Sequence, residues 1–493
     1  MGDTPPAANV LNDRLLRSWL RCRRKAWLDR HADPADRQWT AHRNLQLDDQ
    51  QRCFVALLPQ RPGHGDAACR DGAPGVVGLR LKGQGPAGEA LEAHPPLLLK
   101  VQGQSRWGRF AYQPVLARQG RRLTREHQLP LALSAQLLES EQQAPVPELL
   151  VVGGGGRRLE RDRVPFTTGL KRQLTDSLRR LAHDLQRPNP PALAADRRKC
   201  TLCCWRGVCG AEASAQGHLS EVSGIGAKRR EMLIELGVHG LADLAGADPD
   251  WLASRMERFG DQHGEVARAL VLQARSQRDN RVTRLSASPA LPELIQAPGI
   301  LLYDIESDPD ARHDFLHGFV RVPRCSDSRW DLDRARYHPI LVLEHHGEAR
   351  CWRRLERLLT RYRDWPVLHY GETESLALRR MAQRQSLPDD QLRLLQRRLI
   401  DVHARIRRVW RLPLSSYGLK AVASWRGFRW TLQGADGARA LLWWRQWLGE
   451  GPQRRGSRHA LRWILQYNRD DCLATWAVAA WLADQDATAS GGS

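Results

Sequence analysis

The 493-residue sequence predicts a multidomain α/β protein. Three observations predict it. Strand-like and helix-like stretches alternate in two separate blocks, one running to about residue 212 and one from Gly299 to about residue 485. Between them, about 216–280, the pattern is helical throughout. The breaks are Pro-containing and polar, at Pro188–Pro191 and Ser286–Pro298. Hydrophobic residues at 42% support packed cores and exclude a wholly disordered chain. The expected domains are 1–215, 216–285 and 295–486, followed by a small, polar, disordered tail, 487–493.

The elements follow in order. Asn12–His31 reads as one amphipathic basic helix capped by Asn12, with Leu15, Leu16, Trp19 and Leu20 on one face. Leu97–Val101 and Phe110–Leu116 read as strands, and Leu129–Glu141 as a helix. Leu149–Val152 is strand-like and closes on a turn at Gly153–Gly156; Thr168–Leu185 is helical again. The third block opens on a strand, Gly299–Ile305. No apolar run approaches the ~20 residues of a membrane span, and the polar N-terminus lacks the apolar core of a secretory signal. A cytoplasmic protein that does not contact membranes is the expectation, with cysteines in metal or core roles rather than disulfides.

Lys and Arg number 76 against 55 Asp and Glu, a net charge of +21. Such a surplus attracts polyanions, and neutralising phosphates releases condensed counterions. Arginine supplies most of it, in runs such as Arg21–Lys25, Arg121–Arg125, Arg405–Arg408 and Arg454–Arg458. Nucleic acid is therefore the expected partner, DNA favoured over RNA. The plainer reading is compositional bias on solvated helix faces.

Cys200, Cys203 and Cys209 stand at x2 and x5 spacing, which lets sulfurs converge on one soft metal centre. Cys204 is an extra thiol that can substitute or simply pack. A fourth ligand has to come from elsewhere, and Cys22 lies among Arg21, Arg23 and Arg24, whose charges favour a thiolate. One N-terminal cysteine plus a C-terminal C-x2-C-x5-C around a mixed domain resembles the iron–sulfur RecB-family nucleases, a layout shared by AddB and the CRISPR-adaptation nucleases. The resemblance implies that Cys22, Cys200, Cys203 and Cys209 hold a [4Fe–4S] cluster. A four-cysteine zinc site and unpaired reduced thiols are the alternatives.

The segments Pro95–Gly108 and Tyr112–Gly120 are similar to the RecB-like core of nucleases fused to an RNase H-like domain. That pattern expects aspartate at Pro96 and an Asp-x-Lys triplet at Leu116-Ala117-Arg118; Gln128 stands near the expected helix glutamine. From His94 through Pro130 the only acidic residue is Glu126, too few hard oxygens for a magnesium site. The domain is expected to be a catalytically degenerate PD-(D/E)XK fold that binds but does not cut.

Val222-Ser-Gly224-Ile-Gly226-Ala-Lys228-Arg229 resembles a helix-hairpin-helix motif. Its glycines leave backbone N–H groups at a helix N-terminus for one phosphate, with Lys228 or Arg229 beside it. A plain helical linker is the alternative.

The strongest chemistry lies in the third block. Asp304 and Glu306 end an apolar strand and, two apart, share a face. Tyr467 and Asp471 are four apart in a helix-compatible segment. Glu372, Glu374, Asp401 and His403 each follow an apolar stretch. The set resembles the tyrosine subtype of the DEDD exonucleases of the RNase H-like fold, specifically the YprB-type domain. The resemblance implies Asp304, Glu306 and Asp471 as ligands to Mg²⁺ or Mn²⁺ and Tyr467 as the residue orienting the attacking water. Glu374 stands where the second motif has aspartate, with Asp401 and Asp470 in reserve; Lys420, in Leu412–Lys420, is a phosphate contact. Most of the many tryptophans here are expected in the core, Trp476 and Trp481 among them. His317, His369 and His403 are expected in packing or supporting roles.

The expected function is thus a metal-dependent 3′→5′ exonuclease on single-stranded or frayed nucleic acid, with polarity implied only by resemblance. A non-catalytic iron–sulfur nucleic-acid-binding protein and a nuclease acting through the N-terminal domain are the rivals.

Overall fold

The computed structural model describes residues 10–118, 120, 122–154, 159–309, 313–327, 329–343, 347–449 and 457–490. Outside them lie Met1–Asn9, Arg121, the end of the Gly153–Gly156 turn, Arg454, Arg455 and the last three residues. The chain forms two compact units, one of residues 1–194 and 198–210, the other of 195–197 and 211–493.

The first unit opens with β1 (Val10–Asn12), α1 (Asp13–Arg21), α2 (Arg23–His31) and α3 (Ala41–Leu57). There follow β2 (Gly63–His64), α4 (Gly65–Arg70), β3 (Gly75–Val77), β4 (Leu81–Gln84), β5 (Ala90–Ala93), β6 (Leu97–Val101) and β7 (Ala111–Arg118). It continues through α5 (Arg125–Gln142), β8 (Glu148–Gly154), β9 (Leu159–Pro165), α6 (Thr168–Leu185) and α7 (Arg206–Ala215), whose last residues belong to the second unit. The main sheet has the order β2-β3-β6-β7-β8-β9, and β1-β5-β4 form a small second sheet. β7 is buried along its whole length and pairs antiparallel with β6 and parallel with β8. α5 makes the crossover that a parallel pair requires. It packs Leu129, Leu133 and Leu137 into the core with Leu16 of α1 and Leu174 and Leu178 of α6.

The single helix expected over Asn12–His31 is broken in two. Asn12 does cap α1, accepting from Leu15 N–H at 2.8 Å, but Cys22 is extended at φ −163° and separates α1 from α2. Amphipathic periodicity continues across such a break, so it left no mark in the pattern.

The second unit begins with α8 (Ala227–Glu235), α9 (Leu241–Gly246), α10 (Pro249–Glu257) and α11 (Asp261–Arg278). These bury Leu219, Val222, Leu233, Leu252 and Leu270 in a core of their own. β10 (Thr283–Arg284), β11 (Gly299–Asp308), β12 (His313–Pro323), β13 (Arg336–Leu341), α12 (Gly347–Arg361) and β14 (Val367–His369) come next. α13 (Glu372–Arg384), α14 (Asp389–Arg398), β15 (Leu399–Asp401), α15 (Val402–Val409), β16 (Trp410–Arg411) and α16 (Leu419–Trp425) follow. The unit closes with α17 (Gly437–Trp447) and α18 (Arg458–Ser490). α18 runs on to Ser490, so residues 487–490, expected in a tail, are helical.

A five-stranded sheet of order β13-β12-β11-β14-β15 organises this unit, antiparallel from β13 to β11 and parallel from β11 to β15. β11 alternates as a two-sided strand must. Ile300 and Leu302 face a core shared with α15, α16 and α18; Leu301 and Tyr303 face one shared with α12, α13 and α14. The helices α8–α11 are joined to this domain through β10, which pairs with β16, and through Gln273. The Gln273 amide donates to the carbonyls of Leu412 and Leu414 and accepts from the Tyr417 hydroxyl at 2.7 Å.

Candidate metal centre

β11 carries buried apolar residues up to Tyr303 and then places Asp304 and Glu306 on the face turned toward α18. α18 brings Asp471 to them. One carboxylate oxygen from each of Asp304, Glu306 and Asp471 lies within 4.8 Å of the others, and this trio alone among the described residues has metal-ligand spacing. Strand and helix thus bring together the three carboxylates that the resemblance implied.

Each member is held by neighbours. Asn468 donates Nδ2–H to Asp304 Oδ2 at 2.7 Å and accepts from the Tyr337 hydroxyl at 2.8 Å through Oδ1. Trp430 donates Nε1–H to Asp471 Oδ1 at 2.7 Å, and the Tyr467 hydroxyl bonds the same carboxylate. Gly318 is paired with Asp304 across the sheet, and a Cβ there would collide with Asn468 Oδ1. Only glycine lets the amide cross β12, which is the use a strand glycine has where another group approaches closely.

Burial, then the neighbouring carboxylates, pushes Asp304 and Glu306 well above the usual carboxylate range. Burial likewise raises Glu374 to about 7, with Asp401 and Asp471 adding to it, and raises Asp471 to about 6 against the lowering hydrogen bonds of Trp430 and Tyr467. Glu306 Oε1 and Glu374 Oε2 are buried without hydrogen-bond partners. Four repelling carboxyl groups with orphaned oxygens fit a divalent cation, whose charge reverses the penalty on ionisation. All-oxygen donors select Mg²⁺ or Mn²⁺.

The remaining predicted residues divide. Glu374, in the first turn of α13, is buried and acts electrostatically on Asp304 and Glu306, but it stands outside the trio. Asp401 faces backbone instead, accepting from Gly371 N–H at 3.0 Å and capping α15 through Ala404 N–H. Asp470 binds Thr431 N–H at 2.8 Å and the Gln466 amide, fixing the loop that carries Trp430. Lys420 sits 5.1 Å from the Tyr467 ring and 5.8 Å from that of Trp430, donates to the Ala435 carbonyl, and lowers Asp471 and Glu306 by its charge. His317 is fully buried against the Tyr303 hydroxyl, and His369 is buried with Nδ1 at the Gly371 carbonyl. Trp476 and Trp481 are core residues, whereas Trp463 is 41% exposed.

Sequence reasoning missed Asn468, Trp430 and Gly318. Asn468 lies between Tyr467 and Asp471, and Gly318 interrupts an apolar strand, so both left a signal. Trp430 did not differ from its many neighbours.

In the first unit Cys22 sits at the α1–α2 break, and the Cys200–Cys209 segment docks on α2. The buried Trp205 donates Nε1–H to Asp29 at 2.7 Å, and the Cys204 carbonyl accepts from Gln38 N–H at 2.8 Å. Lys25, one turn beyond Cys22, acts electrostatically on Cys203 and Cys204. A hydrogen bond from the Cys204 thiol lowers Cys203 to about 7. All ten cysteines are free of disulfides, and Cys22, Cys200, Cys203 and Cys209 are each half-buried. Arg118, at the position of the expected Asp-x-Lys lysine, is buried and paired with Glu160 and, at 2.8 Å, with Asp162; Glu126 is paired with Arg21 at 2.6 Å. In the helical segment Gly224 has φ +96°, Gly226 caps α8, and Arg229 turns back to the Gly224 carbonyl at 2.7 Å.

Residues 301–483 match the family RNase_H_2 of the RNase H superfamily. The match spans β11 through α18 and includes all three carboxylates, so the second unit carries an RNase H-like domain. No curated protein matches the chain.

Proposed function

We propose that the chain is a metal-dependent 3′→5′ exonuclease of the DEDD type, acting on single-stranded or frayed nucleic acid, DNA in preference to RNA. The observation that carries the reading is the acidic trio, with carboxylate oxygens within 4.8 Å of one another and an orphaned Glu306 Oε1. Asp304, Glu306 and Asp471 would hold Mg²⁺ or Mn²⁺, with Glu374 as the fourth carboxylate. Bound there, such ions polarise a phosphodiester and lower the pKa of a water.

The chain's own residues supply the rest. Tyr467 is kept protonated by burial and by the adjacent carboxylates and donates its O–H to Asp471, which leaves the hydroxyl oxygen at the edge of the centre to accept from, and so orient, a water. Lys420 offers a cation to a phosphate oxygen beside Tyr467. Trp430 and Asn468 hold two of the ligands in place, so little reorganisation is left for the reaction.

The first unit is proposed as a degenerate RecB-like domain. Cys22, Cys200, Cys203 and Cys209 would hold a [4Fe–4S] cluster, with zinc as the alternative; the half-burial of the four and the charge of Lys25 acting on Cys203 support the reading. Gly224, Gly226 and Lys228 would bind a backbone phosphate at the N-terminus of α8, in helix-hairpin-helix manner.

The test compares the full chain with Asp304→Ala on 5′-labelled single-stranded DNA and RNA, with Mn²⁺ or Mg²⁺ and then with EDTA. A metal-dependent ladder shortening from the 3′ end and lost in the variant is the expected result. No cleavage by folded wild type would favour the binding-protein rival. Cleavage that survives the substitution would move the chemistry to the first unit.

A further inference from the structure

Helix α12 divides its residues between two environments. Cys351, Trp352, Leu355 and Leu359 pack on the sheet face that also holds Leu301 and Tyr303. The outer side carries Arg350, Arg353, Arg354, Arg357 and Arg361, all exposed. Several are three or four apart, so like charges stand over one another, an arrangement that disfavours a helix. Among the described residues no acid is paired with these five, whereas some arginines of this unit are answered by acids: Arg258 by Glu235, Arg268 by Asp250, Arg384 by Glu348. The pairing with Arg384 and Gln385 also occupies Glu348, the acid in the first turn of α12. Arg354 reaches the Pro339 carbonyl only at 3.5 Å, and Arg357 Nε donates to the Arg353 carbonyl.

These arginines border a concavity. Arg350, Arg353, Arg354 and Arg357 line a groove of about 750 Å³ with Leu341, Leu343 and Glu356. Guanidinium forks beside an apolar floor suit a sugar–phosphate chain, since planar donors bind phosphate bidentately and carbon surface accepts sugar.

We propose that this groove is a second nucleic-acid-binding site, which takes the phosphate backbone of a single strand remote from the metal centre. The two sites lie on opposite faces of one sheet. Asp304 and Glu306 share the face of Ile300 and Leu302 under α18, whereas α12 covers the face of Leu301 and Tyr303. A strand engaged at both must pass around the sheet, so only a long strand can occupy the two sites at once.

The test combines Arg350→Gln, Arg353→Gln, Arg354→Gln and Arg357→Gln in the full chain and measures binding of labelled single strands in EDTA. With a strand of about 30 nucleotides the affinity should fall at least ~10-fold near 0.1 M salt, and the log–log salt slope should shrink by roughly 2–3, the amount for about four lost phosphate contacts. Unchanged affinity and slope for the long strand, in a variant with the wild-type melting temperature, would overturn the proposal. An equal loss of affinity for polyglutamate of matched charge would overturn the nucleic-acid assignment and give the groove to acidic peptides. Should the variant unfold, protection of these arginines from phenylglyoxal by the long strand in wild type decides, and no protection overturns the proposal. Because binding is read without metal, a chain that cuts nothing would sink the exonuclease reading and leave this one standing.

Discussion

Asn468 Nδ2 stands 2.7 Å from Asp304 Oδ2, a hydrogen bond that ties α18 to β11 across 164 residues of sequence. The other end of the same amide is held by Tyr337 at 2.8 Å, so β13, β11 and α18 are joined by one side chain. Replacing it strips a partner from a buried carboxylate. Asn468→Ala should weaken Mn²⁺ binding about 10–100-fold, as loss of a ligand's supporting hydrogen bond typically does. Calorimetric titration of Mn²⁺ checks it, and an unchanged affinity would remove Asn468 from the site. Gly318→Ala should have the same effect or worse, because its Cβ would collide with Asn468 Oδ1.

Trp430 and Asp471 give a second expectation. The indole N–H lowers the Asp471 carboxyl against the raising effect of burial. Trp430→Phe keeps most of the ring and removes that donor. The acid limb of metal binding should move to higher pH, with the alkaline plateau little changed. A limb that stays in place would mean that the bond does not act on Asp471.

The raised carboxyl groups make a prediction of stability with pH. Asp471 at about 6 and Glu374 at about 7 lie above their usual values of 3.8 and 4.5. In metal-free protein the folded state therefore binds protons more tightly than the unfolded chain between about pH 4 and 7. Their contribution favours folding at the acid end of that window and is lost as pH rises through the folded values. In EDTA the melting temperature should fall from pH 5 to pH 8 more steeply in wild type than in Glu374→Gln, and Mn²⁺ should flatten the difference. Identical slopes would show that Glu374 does not titrate in this window.

The cysteines are separable by chemistry. Cys22→Ser or Cys209→Ser should abolish bound metal, read as iron and sulfide, or as zinc, per chain, together with any blue-region absorbance. Cys204→Ser should keep the metal. Retention of metal by Cys22→Ser would exclude the four-ligand set.

The joint between α11 and the RNase H-like domain is also testable. Tyr417→Phe removes a buried hydroxyl that donates to Gln273 and accepts from Leu412 N–H at 2.8 Å. The expected loss is about 1–3 kcal/mol, the cost of leaving buried polar groups unpartnered. Urea unfolding measures it, and a change near zero would assign the joint to β10–β16 pairing alone.

The local parts of this protein were legible in the chain. Asp304 and Glu306 share a face because successive strand residues alternate, and Tyr467 and Asp471 stack because a helix repeats near four. Thr168–Leu185 is a helix over the residues its pattern indicated. The break at Cys22 was not legible, since the apolar spacing runs through it, and neither was the helical end of α18.

Convergence was decided elsewhere. Spacing from Tyr467 favoured Asp471 over Asp470, which binds Thr431, but nothing in the sequence shows that Asp471 meets Asp304 and Glu306, or distinguishes Trp430 as the partner of Asp471 from a core tryptophan. Periodicity is a property of neighbouring peptide units and survives in any fold, so residue type and spacing determined which carboxylates could act together on one element. Which of them meet, which face backbone, and which arginines line a groove depends on the β13-β12-β11-β14-β15 order and on what each face buries. Those outcomes arise from pairing and burial between distant segments, and only the tertiary structure sets them.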